Sequence, residues 1–265
     1  MPQVTSPIPG YRVQGRWPES ANLFNGALSL LADPDPADFS GSLVREGPQR
    51  VIARIGAQGT DYYLKRYQPR GPIRRLKACL RPPAARRAWR CLHQLRREQI
   101  ATIDPVGTLT ARGNLRANRG ARPSLLITRA WDGIPLDQFL RGNPPALNRH
   151  AVWQNFAALY ARLLSRGFYH GDPILDNFLV NPSAKLVLVD VDSIKPWPFL
   201  TRRMMVKNLI RLHRSLLVQR RRYENLGLTC SECRGVTQSI VAQPALKESG
   251  LSRELSAIFT KAEND

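Results

Sequence analysis

Three side chains near the middle of this chain have the types and spacing for phosphoryl transfer. The stretch Phe168-Tyr-His-Gly-Asp-Pro-Ile-Leu-Asp-Asn-Phe-Leu-Val180 carries His170, Asp172 and Asn177 in the pattern H-G-D-x4-N-F. An apolar run, Lys185-Leu-Val-Leu-Val189, follows at once and ends in Asp190-Val-Asp192. An attacking hydroxyl needs a carboxylate to take its proton, and a phosphate chain needs a divalent cation held by hard oxygen ligands. Asp172 has the place of the base. Asn177 and Asp190, the latter at the end of the next strand, have the places of the metal ligands. Alone in loops, Asp and Asn are ordinary turn formers. Loop, strand and second acid in register single these out.

This layout is that of a kinase catalytic loop followed by its metal-binding strand end. His170 resembles the loop's structural histidine, which braces backbone near the metal-binding acid; an ordinary packed histidine is the alternative. Asp192 either helps with metal or ties down the loop. The elements that must position these groups are legible on both sides. Ala151 to Arg166 reads as a helix with Val152, Phe156, Leu159, Leu163 and Leu164 in one stripe, and Gly167 is placed to cap it. Upstream, Arg50 to Ile55 alternates as a half-buried strand, and Asp61 to Tyr67 reads as a second. Lys65, in that aromatic-rich strand, matches the ATP-binding lysine of a kinase small lobe. No G-x-G-x-x-G precedes it. Gly56 and Gly59 either cover phosphates in a different pattern or make a plain hairpin turn. Ile103 to Leu109 and Ser124 to Thr128 read as further strands. Thr128-Arg-Ala-Trp131 then falls where a hinge would meet adenine, which nominates Thr128 and Ala130 for nucleotide binding. Leu136 to Leu140 starts a second lobe. Pro196 and Pro198 break the chain, and a basic helix follows from Thr201 to Arg222. Met205, Leu209, Leu212 and Leu216 lie on its apolar side, expected to pack while the basic rim meets solvent or substrate.

Composition bounds the partners. The chain has 265 residues, 43% of them hydrophobic, with 40 Lys or Arg against 20 Asp or Glu, a net charge of +20. That excess favours a polyanion: nucleic acid, an acidic membrane surface or a phosphorylated glycan or lipid. Residues 66 to 97 contain 11 Lys or Arg and no acid, densest from Arg74 to Arg90. Such a run reads as an anion-binding surface. A nucleic-acid binder, suggested by charge alone, has no recognisable motif here. No run approaches the roughly 18 apolar residues of a membrane span. Met1 to Gly15 lacks a basic start followed by an apolar core, so a cytoplasmic location is expected. Cys230-Ser-Glu-Cys233 is a lone C-x2-C with no second pair, so reduced thiols rather than a zinc site are expected.

With these pieces placed, the sequence resembles the lipopolysaccharide core kinase family, which includes Kdo and heptose kinases. The resemblance rests on Tyr62-Tyr-Leu-Lys65-Arg-Tyr67, Arg87-Ala-Trp-Arg90, the H-G-D-x4-N-F loop, Val189-Asp-Val-Asp192 and the run Lys207-Asn-Leu-Ile-Arg-Leu-His-Arg-Ser-Leu216. It implies an α+β, bilobal protein-kinase-like fold with a small β-rich N-lobe and a mainly helical C-lobe. It implies ATP and Mg2+ as cofactors, and transfer to a sugar hydroxyl of the lipopolysaccharide inner core. The partners implied are lipopolysaccharide core or another anionic glycolipid, and an anionic membrane surface held peripherally at the cytoplasmic face of the inner membrane. By position, Lys65 would bind ATP phosphates, Asp172 would be the base, and Asn177 and Asp190 would hold magnesium. One departure stands out: many relatives carry a Glu just before Trp89 to pair with the lysine, and here that residue is Ala88. Residues 1–39 are expected as an extension, 40–130 as the N-lobe, 131–225 as the C-lobe, and 226–265 as a polar tail with one short helix. A kinase of a protein or small metabolite, and a non-catalytic kinase-fold binding protein, are the alternative readings.

Overall fold

The computed structural model describes residues 11–15, 17, 20–32, 41–47, 50–69, 71, 81–111, 123–197, 199–223, 226–247 and 250–251. Arg74, Arg75, Lys77 and Cys79 lie outside the described residues. The chain divides into two compact units, residues 1–93 with 103–131, and residues 94–102 with 132–265.

The first unit is built on one antiparallel sheet. Its strands are β1 (Tyr11–Gly15), β2 (Ser42–Gly47), β3 (Arg50–Ala57), β4 (Thr60–Tyr67), β5 (Pro105–Ala111) and β6 (Ser124–Arg129). They lie in the order β1-β5-β6-β4-β3-β2. Period-two alternation places Tyr62 and Leu64 of β4 on one face, with Ala53 and Ile55 of β3. Helix α1 (Ala21–Ala32) covers that face with Leu23, Ala27, Leu30 and Leu31. β1 and α1 fall in the segment read as an extension. The helix was visible as an apolar patch, whereas the five-residue strand was not. The turn between β3 and β4 is two residues long, Gln58 and Gly59, with φ of 51° and 70°. Left-handed φ at both positions matches the right-handed twist of the flanking strands. Helix α2 (Ala84–Arg97) has Ala88, Trp89, Leu92 and Leu95 buried.

The second unit is mainly helical. Strands β7 (Ile134–Pro135), β9 (Phe178–Val180) and β10 (Leu186–Leu188) form a sheet in the order β10-β9-β7, and β8 (Phe168–His170) pairs with β11 (Ile194–Pro196). Helix α3 (Leu136–Arg141) follows β7. Helix α4 (Ala146–Ser165) buries Val152, Phe156, Leu163 and Leu164 of the predicted stripe, along with Tyr160, while Leu159 is half-buried. It ends at Gly167, whose φ of +78° is the left-handed value that sharply stops a helix. Helix α5 (Arg202–Arg222) starts at Thr201, whose hydroxyl accepts the Met204 N–H, and buries Val206, Leu209, Leu212 and Leu216. Helix α6 (Cys230–Ala242) is longer than the short helix expected near the C-terminus. Thr229 and Glu232 close its first turn as a reciprocal capping box, and Cys233, Val236, Ile240 and Val241 are buried. It packs on both α4 and α5. A short helix, α7 (Pro244–Lys247), follows. Among the described residues, no helix is long and apolar enough to cross a membrane.

Candidate active site

The second unit brings His170, Asp172, Asn177 and Asp190 into one connected loop system. β8 delivers His170 and turns at Gly171. A side chain at Gly171 would put its Cβ 2.9 Å from the Ser193 carbonyl, closer than real Cβ contacts allow. The Gly171 N–H donates to that same carbonyl at 3.0 Å. Asp172 follows and is exposed, as a group that meets an incoming substrate must be. A 3-10 turn (Leu175–Asn177) then returns the chain, and the Asn177 side-chain Nδ2 donates to the Asp172 carbonyl at 2.8 Å. The bond closes the loop over the four residues between Asp172 and Asn177 and fixes their spacing. It consumes the donor end of the amide and leaves Asn177 Oδ1 as the acceptor.

Asp190 joins through the backbone. The Val189 N–H donates to the Asn177 carbonyl at 3.0 Å, which holds the end of β10 beside the loop. Asp190 Oδ1 accepts the Asp192 N–H at 3.1 Å in a local Asx turn. An amide oxygen and a carboxylate on adjoining segments are the hard oxygen donors that Mg2+ takes, with water and phosphate completing its shell. Asn177 and Asp190 therefore fit the ion.

His170 is fully buried. Its ring stacks 6.4 Å from Tyr160 and tilts 5.9 Å from Phe178. Nδ1 accepts the Asp172 N–H at 3.3 Å and lies 3.3 Å from Ser193 Oγ. Burial among these rings lowers its pKa to about 4, against the smaller opposing pull of Asp190. The imidazole is thus neutral at physiological pH, with Nδ1 free of a proton to accept the Asp172 N–H.

The brace extends to residues that the sequence reading passed over. On α5, Asn208 is fully buried; its Nδ2 donates to the His170 carbonyl at 2.7 Å, and its Oδ1 accepts the Tyr160 hydroxyl at 2.6 Å. Arg211, read as part of the basic rim, donates to the Gly171 carbonyl at 2.6 Å. Gln219 Oε1 accepts the Leu175 N–H at 3.4 Å. The signal for Asn208 was present: it interrupts the stripe Met205, Leu209, Leu212, Leu216 with a polar side chain, and such a residue needs a buried partner.

The nucleotide-side candidates lie in the first unit. Lys65 sits on β4, opposite Ile52 on one side and Leu126 on the other, with its ammonium 5.6 Å from the Tyr67 ring centroid. Alternation turns it out of the face that Tyr62 and Leu64 bury. Thr128 is buried on β6. The Ala130 N–H donates to the Asp61 carbonyl at 2.8 Å.

Comparison with known proteins agrees with this geometry. The lipopolysaccharide kinase (Kdo/WaaP) family model matches residues 38–238. Among solved structures, the ROP18 kinase domain in complex with AMP-PNP and sucrose superposes with a TM-score of 0.50 at 12% identity, covering 84% of this chain and 81% of that one. At that identity the likeness speaks for the fold, which is α+β and protein-kinase-like. No curated protein sequence matches. A kinase fold, the loop built around Asp172 and the family match over most of the chain lead to one conclusion: this chain belongs to the lipopolysaccharide kinase (Kdo/WaaP) family and is an ATP-dependent kinase of lipopolysaccharide core sugars.

Proposed function

We propose that the protein transfers the γ-phosphoryl group of ATP to a hydroxyl of a heptose or Kdo residue in the lipopolysaccharide inner core. Asp172 accepts the hydroxyl proton, the hydroxyl oxygen forms the new bond to phosphorus, and the bond to the ADP oxygen breaks with its electron pair leaving on ADP. Asn177 and Asp190 hold Mg2+, which when bound neutralises the charge that builds on the phosphates. His170 orients Asp172. Lys65 contacts the ATP phosphates, while Thr128 and Ala130 edge the adenine. With its N–H on Asp61, Ala130 offers adenine its carbonyl, or exchanges that bond on binding. Residues 1–39 act as an extension of an N-lobe (40–130), followed by a C-lobe (131–225) and tail (226–265). The enzyme works at the cytoplasmic face of the inner membrane, held peripherally by its positive charge on an anionic glycolipid or membrane surface.

The observation that carries this reading is the Asn177-to-Asp172 bond together with the Val189 tie. They support the reading of a base and two oxygen ligands in the order and spacing that phosphoryl transfer uses. The test is transfer from labelled ATP to purified lipopolysaccharide core of defined phosphorylation, with the site mapped by mass spectrometry. Incorporation on one inner-core sugar is expected. Transfer to a protein or small metabolite instead of the core would sink the substrate assignment. ATP binding without turnover on any acceptor would mark a binding protein.

A further inference from the structure

Helix α5 does two jobs with one face. Asn208 holds the catalytic loop from beneath, and beside it a cleft of about 490 Å³ opens, lined by Tyr169, Lys207, Ile210, Arg211 and Arg214. Positions 207, 210, 211 and 214 recur at helical spacing and share one side of the helix. Lys207, Arg211 and Arg214 are exposed there. The chain carries no acid from Ser193 to Tyr223. Among the described residues, no carboxylate pairs with Lys207, Arg211 or Arg214. Three like charges on adjacent turns repel one another, and an arriving anion relieves that repulsion.

The cleft is also tied to the chemistry. Arg211 donates to the Gly171 carbonyl at 2.6 Å, and its guanidinium stands 5.9 Å from the Tyr169 ring centroid. Gly171 is the neighbour of Asp172. Tyr169, on the cleft wall, is three residues from Asp172, so their Cα atoms are no more than about 11 Å apart. That is the reach of one or two sugar rings. An acceptor with a hydroxyl at Asp172 and an acidic group on the same or the next ring would put that group among the cations. Arginine suits the role because its planar donors match a carboxylate or phosphate in pairs.

We propose that this cleft is the subsite for an acidic group, carboxylate or phosphate, of the acceptor sugar, and that Lys207 and Arg214 select for it. The proposal rests on the sugar-kinase reading and assigns it an acceptor site. The test uses the full chain and a deacylated Kdo-containing core oligosaccharide, with binding measured by calorimetry without ATP. Arg211 is left unchanged because it also holds the loop. The double variant Lys207→Gln/Arg214→Gln should bind the oligosaccharide about tenfold or more weakly, as removal of charge partners from an anion predicts. Its thermal midpoint should match wild type, since both side chains are exposed; if it does not, Lys207→Gln alone is measured. The same oligosaccharide with its carboxylates reduced, or with its phosphates removed, identifies the group held, and the variant should be indifferent to that loss. Wild-type affinity untouched by removing both charges overturns the proposal. So does a variant that binds the oligosaccharide normally but loses anionic phosphatidylglycerol vesicles, because the cations would then serve a lipid headgroup. If charge-dependent binding is found but wild type transfers no phosphate, the subsite stands and the proposed function falls. If transfer occurs but binding ignores these charges, the function stands and the subsite falls.

Discussion

Lys65 and Asp172 are held by different means. The backbone of Lys65 is placed by the sheet: β4 is laddered on both sides, to β3 and to β6, so the position of its Cα follows from the register. Asp172 has no such ladder. It hangs on a loop whose geometry depends on side chains reaching from elsewhere, Asn177 within the loop and Asn208, Arg211 and Gln219 from α5. A position set by a ladder tolerates change in its neighbours' side chains, whereas one set by side chains does not. The placement of Lys65 should therefore depend less on distant side chains than that of Asp172 does.

The largest expected effect breaks the base itself. Asp172→Asn keeps size but removes the proton acceptor, so transfer should fall by roughly two orders of magnitude or more while ATP still binds. Near wild-type transfer would remove Asp172 from the role. Lys65→Ala comes next, with transfer down by about 10²-fold, as for loss of one preorganised donor to developing charge. An indifferent Lys65→Ala would favour a non-catalytic protein.

The comparison is sharpest at Asn208, which touches no reacting group. Asn208→Ala strands the buried Tyr160 hydroxyl and the His170 carbonyl, so stability should drop by roughly 2–4 kcal/mol. Turnover at saturating ATP should fall more than ATP affinity does. Equal loss of both would mean that the damage is general unfolding and not a displaced loop.

His170 gives a smaller, pH-dependent effect. Its folded pKa is about 4, below the ordinary 6.5. The unfolded chain binds this proton and the folded chain does not, so the stability is complete above pH 6.5 and lost as pH falls toward 4. Between pH 7 and 5 the loss should be about 2 kcal/mol from this group, read as the urea midpoint against pH. A His170→Gln variant should lack that part of the slope; an unchanged slope would assign it to other groups.

The smallest effect is expected at Glu98, the first acid after Lys65 in the sequence. It pairs with Arg166 at 3.4 Å, with side chains 42% and 51% exposed respectively. Glu98→Gln should leave transfer unaltered and stability within about 0.5 kcal/mol. A large loss of turnover would instead give Lys65 a displaced carboxylate partner.

The same contrast explains what was legible in the sequence. H-G-D-x4-N and the following Asp190-Val-Asp192 were readable because the chemistry fixes both residue type and spacing. Lys65 stood out as a lysine within an aromatic-rich strand upstream of that loop. Most of the α4 stripe followed from periodicity. The supports of the loop were not readable as such: Asn208 and Arg211 are 38 and 40 residues from their acceptors, and only the fold brings them together. β1 is five residues long and is stabilised by pairing with β5, a partner far along the chain. Helix α6 was legible and missed. Thr229-Cys-Ser-Glu232 is a capping box in plain sequence, overshadowed by the two cysteines that share those positions.

The reach of α5 also bears on when the protein becomes active during its synthesis. Chains emerge from the ribosome N-terminus first. The whole β-rich unit, Lys65 included, can form before α5 exists. The His170 and Gly171 carbonyls, by contrast, wait for Asn208 and Arg211, and Leu175 waits for Gln219. A nascent chain that ends short of α5 has the Asp172 loop with its local bonds to His170, Asn177 and Ser193 but without the supports from α5. On the proposed mechanism, competence for transfer should therefore come only when α5 docks, after the β-rich unit has formed.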